Sequence, residues 1–328
     1  MVDNYNRTIN YLRLSVTDRC NLRCIYCMPD EGIAFTPHSE ILTYEEMIHI
    51  VKLSVSKGIR KIRLTGGEPL VRRDIIGFIQ KLQQIDEIEE ITLTTNGVLL
   101  KDFARSLREC GMRRINISMD TLRRDRFYQI TRRDFFDRVW EGIDEADALG
   151  FDPIKINVVA MRGVNDDEIV DFAKLTFNKP YHVRFIEIMP FGKDNGNGWA
   201  RERFISVGEI LDRIRSLGEV NPVGYSLLGG PAQRYRLEGA AGEIGFIGAL
   251  SNHFCKTCNR LRLTSCGQLR GCLFSDEETD LKTPLRTGGD DDSLLRLIET
   301  TIRNKPKEHG MGLWEPRKCV RPMNRIGG

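Results

Sequence analysis

The chain has 328 residues, with 49 lysines and arginines against 46 aspartates and glutamates, so its net charge is only +3. This balance excludes a broad basic face for nucleic acid, although a local basic pocket for a small anion is compatible with it. No apolar run approaches the ~20 residues of a membrane span, and the polar amino terminus lacks the apolar core of a secretory signal. We therefore expect a cytoplasmic protein without a membrane-spanning segment.

Short β-branched segments alternate with longer helical patterns between Tyr11 and Ile188. Six such βα repeats predict a parallel sheet covered by helices, and the pattern alone leaves open whether the sheet closes into a barrel. The predicted strands are Tyr11–Thr17, Ile59–Thr65, Glu90–Thr95, Arg114–Met119, Ile154–Ala160 and His182–Ile188. The predicted helices are Thr43–Lys57, Arg73–Gln84, Lys101–Cys110, Phe135–Leu149 and Asp166–Asn178.

After Met189 the pattern changes to a polar, glycine-rich segment that is typical of a surface loop. A helix over Ser206–Ser216 follows, and then a mixture of short strands and loops. We therefore divide the chain into residues 1–220, which hold the βα repeats, and a smaller α+β region over residues 221–328.

Three cysteines, Cys20, Cys24 and Cys27, lie in the loop that follows the first predicted strand. Clustered cysteines in a chain of this kind favour metal ligands over disulfides. A structural zinc site needs four protein ligands, and the nearest fourth ligand, His38, belongs to a separate loop. A [4Fe–4S] cluster suits the short spacing, and three thiolates would leave one iron open to an exogenous ligand. We favour this cluster over zinc and over inert thiols.

The segment RLTGGEPLVRRD follows the second predicted strand and places two glycines in a tight turn. Its spacing matches neither the dinucleotide-binding fingerprint nor the phosphate-binding P-loop. Three further strands end in TTNG, SMD and IMP, and each of these also has a simple explanation as a turn, a cap or core packing. All of them lie at one edge of a parallel sheet, the edge at which the active sites of α/β barrels are built.

Four more cysteines, Cys255, Cys258, Cys266 and Cys272, lie in a segment where NRLRLT and QLRGCLF read as two strands around a tight turn. A hairpin brings Cys272 back beside Cys255 and Cys258. Cys266, at the tip, lies ~20 Å or more away at ~3.3 Å per residue. The three neighbours predict a second [4Fe–4S] cluster with an open iron. A zinc ribbon, with His253 as a poorly spaced fourth ligand, is the alternative.

On several predicted strands, basic residues occupy alternate positions. Side chains at alternate positions of a strand lie on the same face of the sheet. Unpaired cations that face a barrel interior would be costly, so these positions indicate an anion to be bound. Arginine suits this role because its planar fork grips phosphate oxygens in pairs. Taken singly, each position is equally well explained as a surface or ion-paired residue. The positions are Arg13, Lys61, Arg63, Lys155, Arg260 and Arg262.

The CxxxCxxC loop resembles the signature of radical S-adenosylmethionine (SAM) enzymes, with an aromatic residue before the last cysteine. The resemblance implies a partial (βα)6 TIM-type barrel with SAM chelated to the open iron of the first cluster. It also implies that Gly67 brings backbone close to SAM, where a side chain would clash. The implied SAM contacts are Tyr26, Gly67, Ser118 and Met189.

The second motif, CxxC-x13-C, narrows the resemblance to the GTP 3′,8-cyclase family of molybdenum cofactor biosynthesis, and the match covers essentially the whole chain. This resemblance implies that a 5′-deoxyadenosyl radical takes the C3′ hydrogen of GTP, and that C3′ then joins C8 of guanine. The second cluster would hold the guanine. The implied GTP contacts are Arg13, Arg63, Thr94, Lys155, Arg260, Leu261 and Arg262.

The same resemblance implies further roles. Arg260 and Arg262 are candidate donors of the final proton, and the terminal Gly327-Gly328 would thread into the active site. We expect a homodimer whose product passes to cyclic pyranopterin monophosphate synthase. The sequence does not identify the electron donor. The alternatives are another radical SAM enzyme with an auxiliary cluster, such as a peptide-modifying enzyme, and a zinc-stabilised binding module without chemistry.

Overall fold

The computed structural model of the protein describes residues 1–191, 198–224, 230–310 and 323–327. Its strands belong to one sheet, to which both halves of the chain contribute. In chain order the strands are β1 Tyr11–Ser15, β2 Lys61–Thr65, β3 Glu90–Thr95, β4 Ile115–Ser118, β5 Ile154–Ala160, β6 His182–Glu187, β7 Val220–Pro222, β8 Gln233–Leu237, β9 Glu243–Ile247, β10 Arg260–Leu263, β11 Gln268–Arg270 and β12 Thr279–Asp280.

The order of the strands in the sheet is β12-β11-β10-β1-β2-β3-β4-β5-β6-β9-β8-β7. Strands β1 to β6 are parallel and adjacent in chain order, which confirms the predicted parallel sheet and partial barrel. Two strands from the carboxyl-terminal region extend the parallel set, β10 beside β1 and β9 beside β6. Because residues beyond 220 supply both edges, they continue the sheet of the first region. The division at residue 220 stays a prediction.

Helices connect the strands, and the first of them begins as its sequence indicates. Thr43 accepts a hydrogen bond from the backbone of Glu46, and the Glu46 side chain accepts one from the backbone of Thr43, which completes a capping box. The sequence pattern does not predict α4, because its charged residues leave only a sparse apolar face. The helices are α1 Tyr44–Ser56, α2 Ile75–Gln83, α3 Leu100–Glu109, α4 Arg124–Thr131, α5 Phe136–Ala148, α6 Ile169–Asn178, α7 Trp199–Glu202, α8 Val207–Ile214, α9 Lys282–Arg286 and α10 Asp291–Arg303.

Alternation along the strands separates an apolar face from a polar face of the sheet. In β1, Leu12 and Leu14 are fully buried in the main hydrophobic core, whereas Arg13 lies on the opposite face and lines a cavity. We call the cavity side the inner face. Within the described ranges, no helix combines the length and the apolar character that crossing a membrane requires.

The second strand of the β10–β11 hairpin is shorter than its sequence indicates. The pattern QLRGCLF predicts a strand through Phe274, but β11 ends at Arg270. The fully buried Arg270 side chain bonds to Glu278 and to the carbonyl of Leu273, which stabilises a turn in the chain directly after the strand. Cys272 therefore lies in a loop and not within a strand.

Candidate functional site

A cavity of about 290 Å³ opens at the carboxyl ends of the parallel strands. All six cysteines that the sequence predicts as ligands line it, whereas Cys266, in the turn between β10 and β11, is not among the lining residues. Two groups of thiols, far apart in sequence, therefore share one chamber. We call them the first trio, Cys20, Cys24 and Cys27, and the second trio, Cys255, Cys258 and Cys272.

The loop of the first trio folds back on itself directly after β1. The backbone N–H of Cys27 donates to the carbonyl of Cys24 (2.9 Å), and that of Arg23 donates to Thr131 at the end of α4 (2.9 Å). Burial raises the pKa of Cys20 to about 11 and that of Cys27 to about 12, and it raises the pKa of Cys24 well above its ordinary value. As thiolates these side chains need positive charge beside them, which an iron–sulfur cluster provides.

Basic side chains set the charge of the second trio. Burial opposes ionisation of Cys258, but the charges of Arg260 and Lys305 outweigh it and lower the pKa of the thiol to about 6. Arg260 Nη2 lies 3.7 Å from Cys258 Sγ. Burial raises the pKa of Cys255, whose carbonyl accepts a hydrogen bond from Arg7 (2.9 Å). One thiol of this trio is therefore ionised at neutral pH before any metal binds.

The distance between sulfur ligands distinguishes a site for a single metal ion from a site for a cluster. In a tetrahedral zinc site with Zn–S bonds of ~2.3 Å, two sulfurs lie ~3.8 Å apart. In neither trio do all three sulfurs lie within 4.8 Å of one another. In the part of the chain that the structure describes, the ligand atoms of one group of three do so, and these belong to His253, Cys255 and His309. The sulfurs of neither trio are therefore gathered at the spacing of a single ion.

The GGEP segment holds the loop of the first trio in place. The N–H of Gly67 donates to the carbonyl of Thr17 (2.8 Å), and a Cβ at Gly67 would lie 2.3 Å from the carbonyl oxygen of Arg19. The cysteine loop itself therefore requires a glycine at this position, and the predicted approach of SAM to Gly67 stays a prediction. The buried Glu68 accepts from the N–H of Asn96 (2.7 Å), which joins the TTNG turn to the same motif.

The four residues that the resemblance assigns to SAM all line the cavity. Tyr26 donates its hydroxyl to Asp120 (2.7 Å), which also accepts from the N–H of Val159 (2.8 Å). Burial raises the pKa of Asp120 to about 6. Asp120 belongs to the SMD motif but was not among the predicted site residues, and its bonds hold the Tyr26 side chain at the rim. The four residues are Tyr26, Gly67, Ser118 and Met189.

Three arginines lie side by side on three neighbouring strands of the inner face. Arg13 in β1 is in register with Arg262 in β10 and with Arg63 in β2. Burial, together with the charges of Arg63 and Arg260, lowers the pKa of Arg13 to about 10. Burial and like charges also lower the pKa of Arg262 well below its ordinary value. An anion bound among these guanidinium groups would offset their mutual repulsion. We call Arg262, Arg13 and Arg63 the arginine row.

Two further basic side chains lie near the arginine row. Arg184 in β6 lines the cavity, and burial followed by the charge of Arg63 lowers its pKa to about 9. Lys155 is not among the lining residues; burial, followed by the charges of Arg184 and Arg63, lowers its pKa to about 6. Arg184 was not among the predicted site residues, although its parity along β6 could have identified it.

The remaining predicted GTP contacts differ in position. The Thr94 hydroxyl oxygen and Asn157 Oδ1 belong to lining residues, and both are buried without a hydrogen-bond partner among the described residues. Buried polar atoms of this kind fit a cavity that holds a polar ligand. The side chain of Leu261, in contrast, is fully buried in the hydrophobic core, so only its backbone can meet a ligand. Arg260 lines the cavity, and its contact with GTP stays a prediction.

The carboxyl-terminal tail reaches the arginine row. The carbonyl of Gly327 accepts hydrogen bonds from Arg13 Nε (3.2 Å) and from Arg262 Nη1 (3.0 Å). Asn324 lines the cavity, and its side chain donates to the backbone ahead of the first trio (2.9 Å). Gly327 therefore lies against the arginine row, and the entry of the tail into the active site stays a prediction. Gly328 lies outside the described residues.

Comparisons with known proteins agree with these features along the whole chain. Residues 14–176 match the family model of the Radical SAM superfamily, and residues 181–311 match that of Molybdenum Cofactor Synthesis C. The GTP 3′,8-cyclase of Thermodesulfovibrio yellowstonii is 51% identical over 330 residues, covering 100% of both chains. That of Geobacter sulfurreducens is 48% identical over 328 residues, covering 100% of this chain and 99% of the relative.

A solved structure supports the fold. SuiB of Streptococcus suis, bound to S-adenosylmethionine, aligns with a TM-score of 0.59 over 90% of this chain and 68% of that chain, at 16% identity. At this identity the likeness shows the architecture alone. The full-length relatives decide the family, and the chain belongs to the GTP 3′,8-cyclase family of the radical SAM superfamily.

Proposed function

We propose that this chain converts GTP to (8S)-3′,8-cyclo-7,8-dihydroguanosine 5′-triphosphate, the first step of molybdenum cofactor biosynthesis. The observation that carries the proposal is the composition of one chamber. Two cysteine trios line the same cavity, and the arginine row crosses its inner wall. A radical SAM site needs only the first trio. The second trio and the arginine row are additional features, and together they suit a substrate that carries a triphosphate. The full-length relatives favour this activity over a peptide-modifying one.

We assign a [4Fe–4S] cluster to each trio. The position of both trios on one cavity and the raised pKa values of the buried first-trio thiols support this donor set. With SAM bound, the first cluster would supply the one-electron reduction that starts hydrogen abstraction. The protein's part is to hold six thiolates and to leave one corner of each cluster open. The second open corner is the proposed place for guanine.

The rim residues suit the parts of SAM in different ways. Ser118 offers a hydroxyl to the ribose or the carboxylate, and Met189 offers a polarisable apolar surface to the adenine. Tyr26 is held by Asp120 (2.7 Å), so its side chain is positioned before SAM binds. Gly67 keeps the cysteine loop close to the second strand and thereby positions the first trio.

The arginine row is the proposed triphosphate site. Several phosphate charges require several cations, and planar guanidinium groups bind phosphate oxygens in pairs. Arg184 adds a further cation to the cavity wall, and the unsatisfied oxygens of Thr94 and Asn157 add polar contacts. Clamping both ends of GTP brings C3′ and C8 of one molecule together, and such positioning supplies much of the catalysis in a reaction of this kind. Arg260 and Arg262 are the proposed donors of the final proton.

Several relations to other molecules belong to the same proposal. We expect a cytoplasmic homodimer that receives electrons from a reductant of the cell. Its product is the substrate for cyclic pyranopterin monophosphate synthase. Neither nucleic acid nor a membrane is an expected partner, because the net charge is small and the basic residues of the inner face are concentrated in one cavity.

The test is anaerobic reconstitution of the full chain, followed by incubation with SAM, a reductant and each nucleoside triphosphate in turn. We expect about eight irons per chain, and formation of 5′-deoxyadenosine and a cyclised product with GTP but not with ATP or CTP. Arg63→Ala should raise the KM for GTP by about 10–100-fold, because a charge-assisted contact contributes about 1.5–3 kcal/mol. The exposed Arg73→Ala is the control. Absence of 5′-deoxyadenosine with GTP would overturn the proposal.

A further inference from the structure

Beside the second trio lie two histidines that the proposed cyclisation does not use, close to Cys255, which it does use. The ligand atoms of His253, Cys255 and His309 all lie within 4.8 Å of one another. Two imidazoles and one thiolate are the donors that zinc prefers, and three protein ligands with one open position are typical of catalytic zinc sites. We propose that these three residues form a Zn²⁺ site that competes with the second cluster for Cys255.

The distances favour a single ion over a cluster at this group. Zn–N bonds of ~2.0–2.1 Å and Zn–S bonds of ~2.3 Å place the ligands of a tetrahedral ion roughly 3.3–3.6 Å apart. Donor atoms that already lie within 4.8 Å need only a small inward movement. His253 is exposed and lies in an irregular segment, so its side chain can make that movement without disturbing the core.

The environment of His309 is that of a metal-ligating histidine. Its Nε2 lies 3.1 Å from the carbonyl oxygen of Ala249, and a carbonyl can only accept, so Nε2 carries the proton. In the neutral ring Nδ1 then holds the lone pair. Metal-binding histidines usually donate their other N–H to a carbonyl or a carboxylate in this way. The ring also packs against His253 (5.1 Å between centroids) and Phe274 (4.9 Å), which fixes its plane.

Because the zinc site and the second cluster both need Cys255, the chain cannot bind the zinc ion and the second cluster at the same time. The thiolate that completes the zinc site is the one that would ligate an iron of the second cluster. Zinc binding releases the thiol proton and requires no redox partner. A zinc-loaded chain is therefore expected to keep the first cluster and to lack the second. The competition rests on the proposed function, whereas the zinc site itself does not.

The experiment titrates the full cluster-free chain with Zn²⁺ and with Co²⁺ and then attempts anaerobic iron–sulfur reconstitution. We expect one zinc per chain and thiolate-to-cobalt charge-transfer absorption with Co²⁺. After zinc loading the iron content should be about four per chain instead of about eight. His253→Ala and His309→Gln should weaken zinc binding by about 100-fold or more, since loss of an outer-shell partner alone costs about 10–100-fold. Both variants should still accept about eight irons.

His49→Ala is the matched control, because His49 is a half-exposed histidine paired with Asp291 on the surface. Unchanged zinc affinity in both histidine variants would overturn the assigned ligands. About eight irons in a chain that retains its zinc would overturn the competition. About four irons in the zinc-free chain would instead count against the second cluster of the proposed function, and the zinc titration of the variants would still decide the site.

Discussion

Single side chains beside the chamber have charge states that a bound anion would change. Lys155 shows this most clearly, because burial and the charges of Arg184 and Arg63 lower its pKa from 10.5 to about 6. In the free protein it is mostly neutral at pH 7.5. An anion bound among the neighbouring arginines would favour its charged form.

This residue predicts that GTP binding takes up a proton. Between about pH 6 and 10, the anion should raise the pKa of Lys155 and protonate it, whereas below pH 6 the side chain is already protonated and uptake should vanish. Calorimetric titration at pH 7.5 in buffers of different ionisation enthalpy measures the effect. Lys155→Met should remove the uptake. A binding enthalpy that does not depend on the buffer in the unmodified protein would contradict the prediction.

Gly67 gives a second prediction at this scale. A Cβ there would lie 2.3 Å from the Arg19 carbonyl oxygen and would displace the loop of the first trio. Gly67→Ala should therefore lower the iron content from about eight to about four per chain and destabilise the fold by about 1–3 kcal/mol. Gly208→Ala is the control, since its Cβ would meet only Ser206 Oγ at 3.8 Å. Full iron content in Gly67→Ala would show that the loop tolerates the side chain.

At the scale of elements, the amino-terminal segment holds the loop of the second trio in place through hydrogen bonds. The buried Arg7 guanidinium donates to the carbonyls of Cys255 (2.9 Å), Pro306 (2.8 Å) and Lys307 (3.1 Å) and pairs with Asp3 (2.6 Å). One side chain therefore joins the segment before β1, the loop before β10 and the chain after α10. None of these contacts follows from a local pattern, because the partners lie about 250–300 positions apart in sequence.

Loss of this side chain should be costly. Arg7→Met leaves Asp3 as a buried charge without its partner, so we expect the free energy of unfolding to fall by about 3–5 kcal/mol. Urea denaturation followed by circular dichroism measures the change. Arg73→Met, at an exposed position, should stay within about 0.5 kcal/mol of the parent. Equal stability of the two variants would show that Arg7 does not fasten the three segments.

At the scale of the whole molecule, the carboxyl-terminal region completes the sheet. It places β10 beside β1 and β9 beside β6, and so covers both edges of the six predicted parallel strands. Unpaired edges are sites of aggregation, so residues 1–220 alone should not form a stable monomer. Residues 1–310, which retain both edge strands, should fold. Gel filtration and thermal unfolding compare the two, and a cooperatively folded 1–220 monomer would instead support an independent domain.

Features that depend on short spacings were predictable, and those that depend on packing were not. The six βα repeats and the choice of Cys272 over Cys266 follow from periodicity and hairpin geometry, which are local. Arg184 was not predicted, although the alternation of side chains along β6 would have placed it on the inner face. His309 gives no signal of its own, because its neighbours His253 and Cys255 come from a segment more than fifty residues earlier.

The sequence by itself determined the chemistry of the ligands and the order of the parallel strands, because thiol spacing and the alternation of apolar residues act over a few positions. Only the tertiary structure decided which residues share the chamber. It placed the carbonyl of Gly327 within hydrogen-bonding distance of Arg13 and Arg262. It packed the cysteine loop so closely against Gly67 that a side chain there would clash. It directed the Leu261 side chain into the hydrophobic core. These relations depend on strand order and close packing across more than 200 residues, which no local pattern specifies.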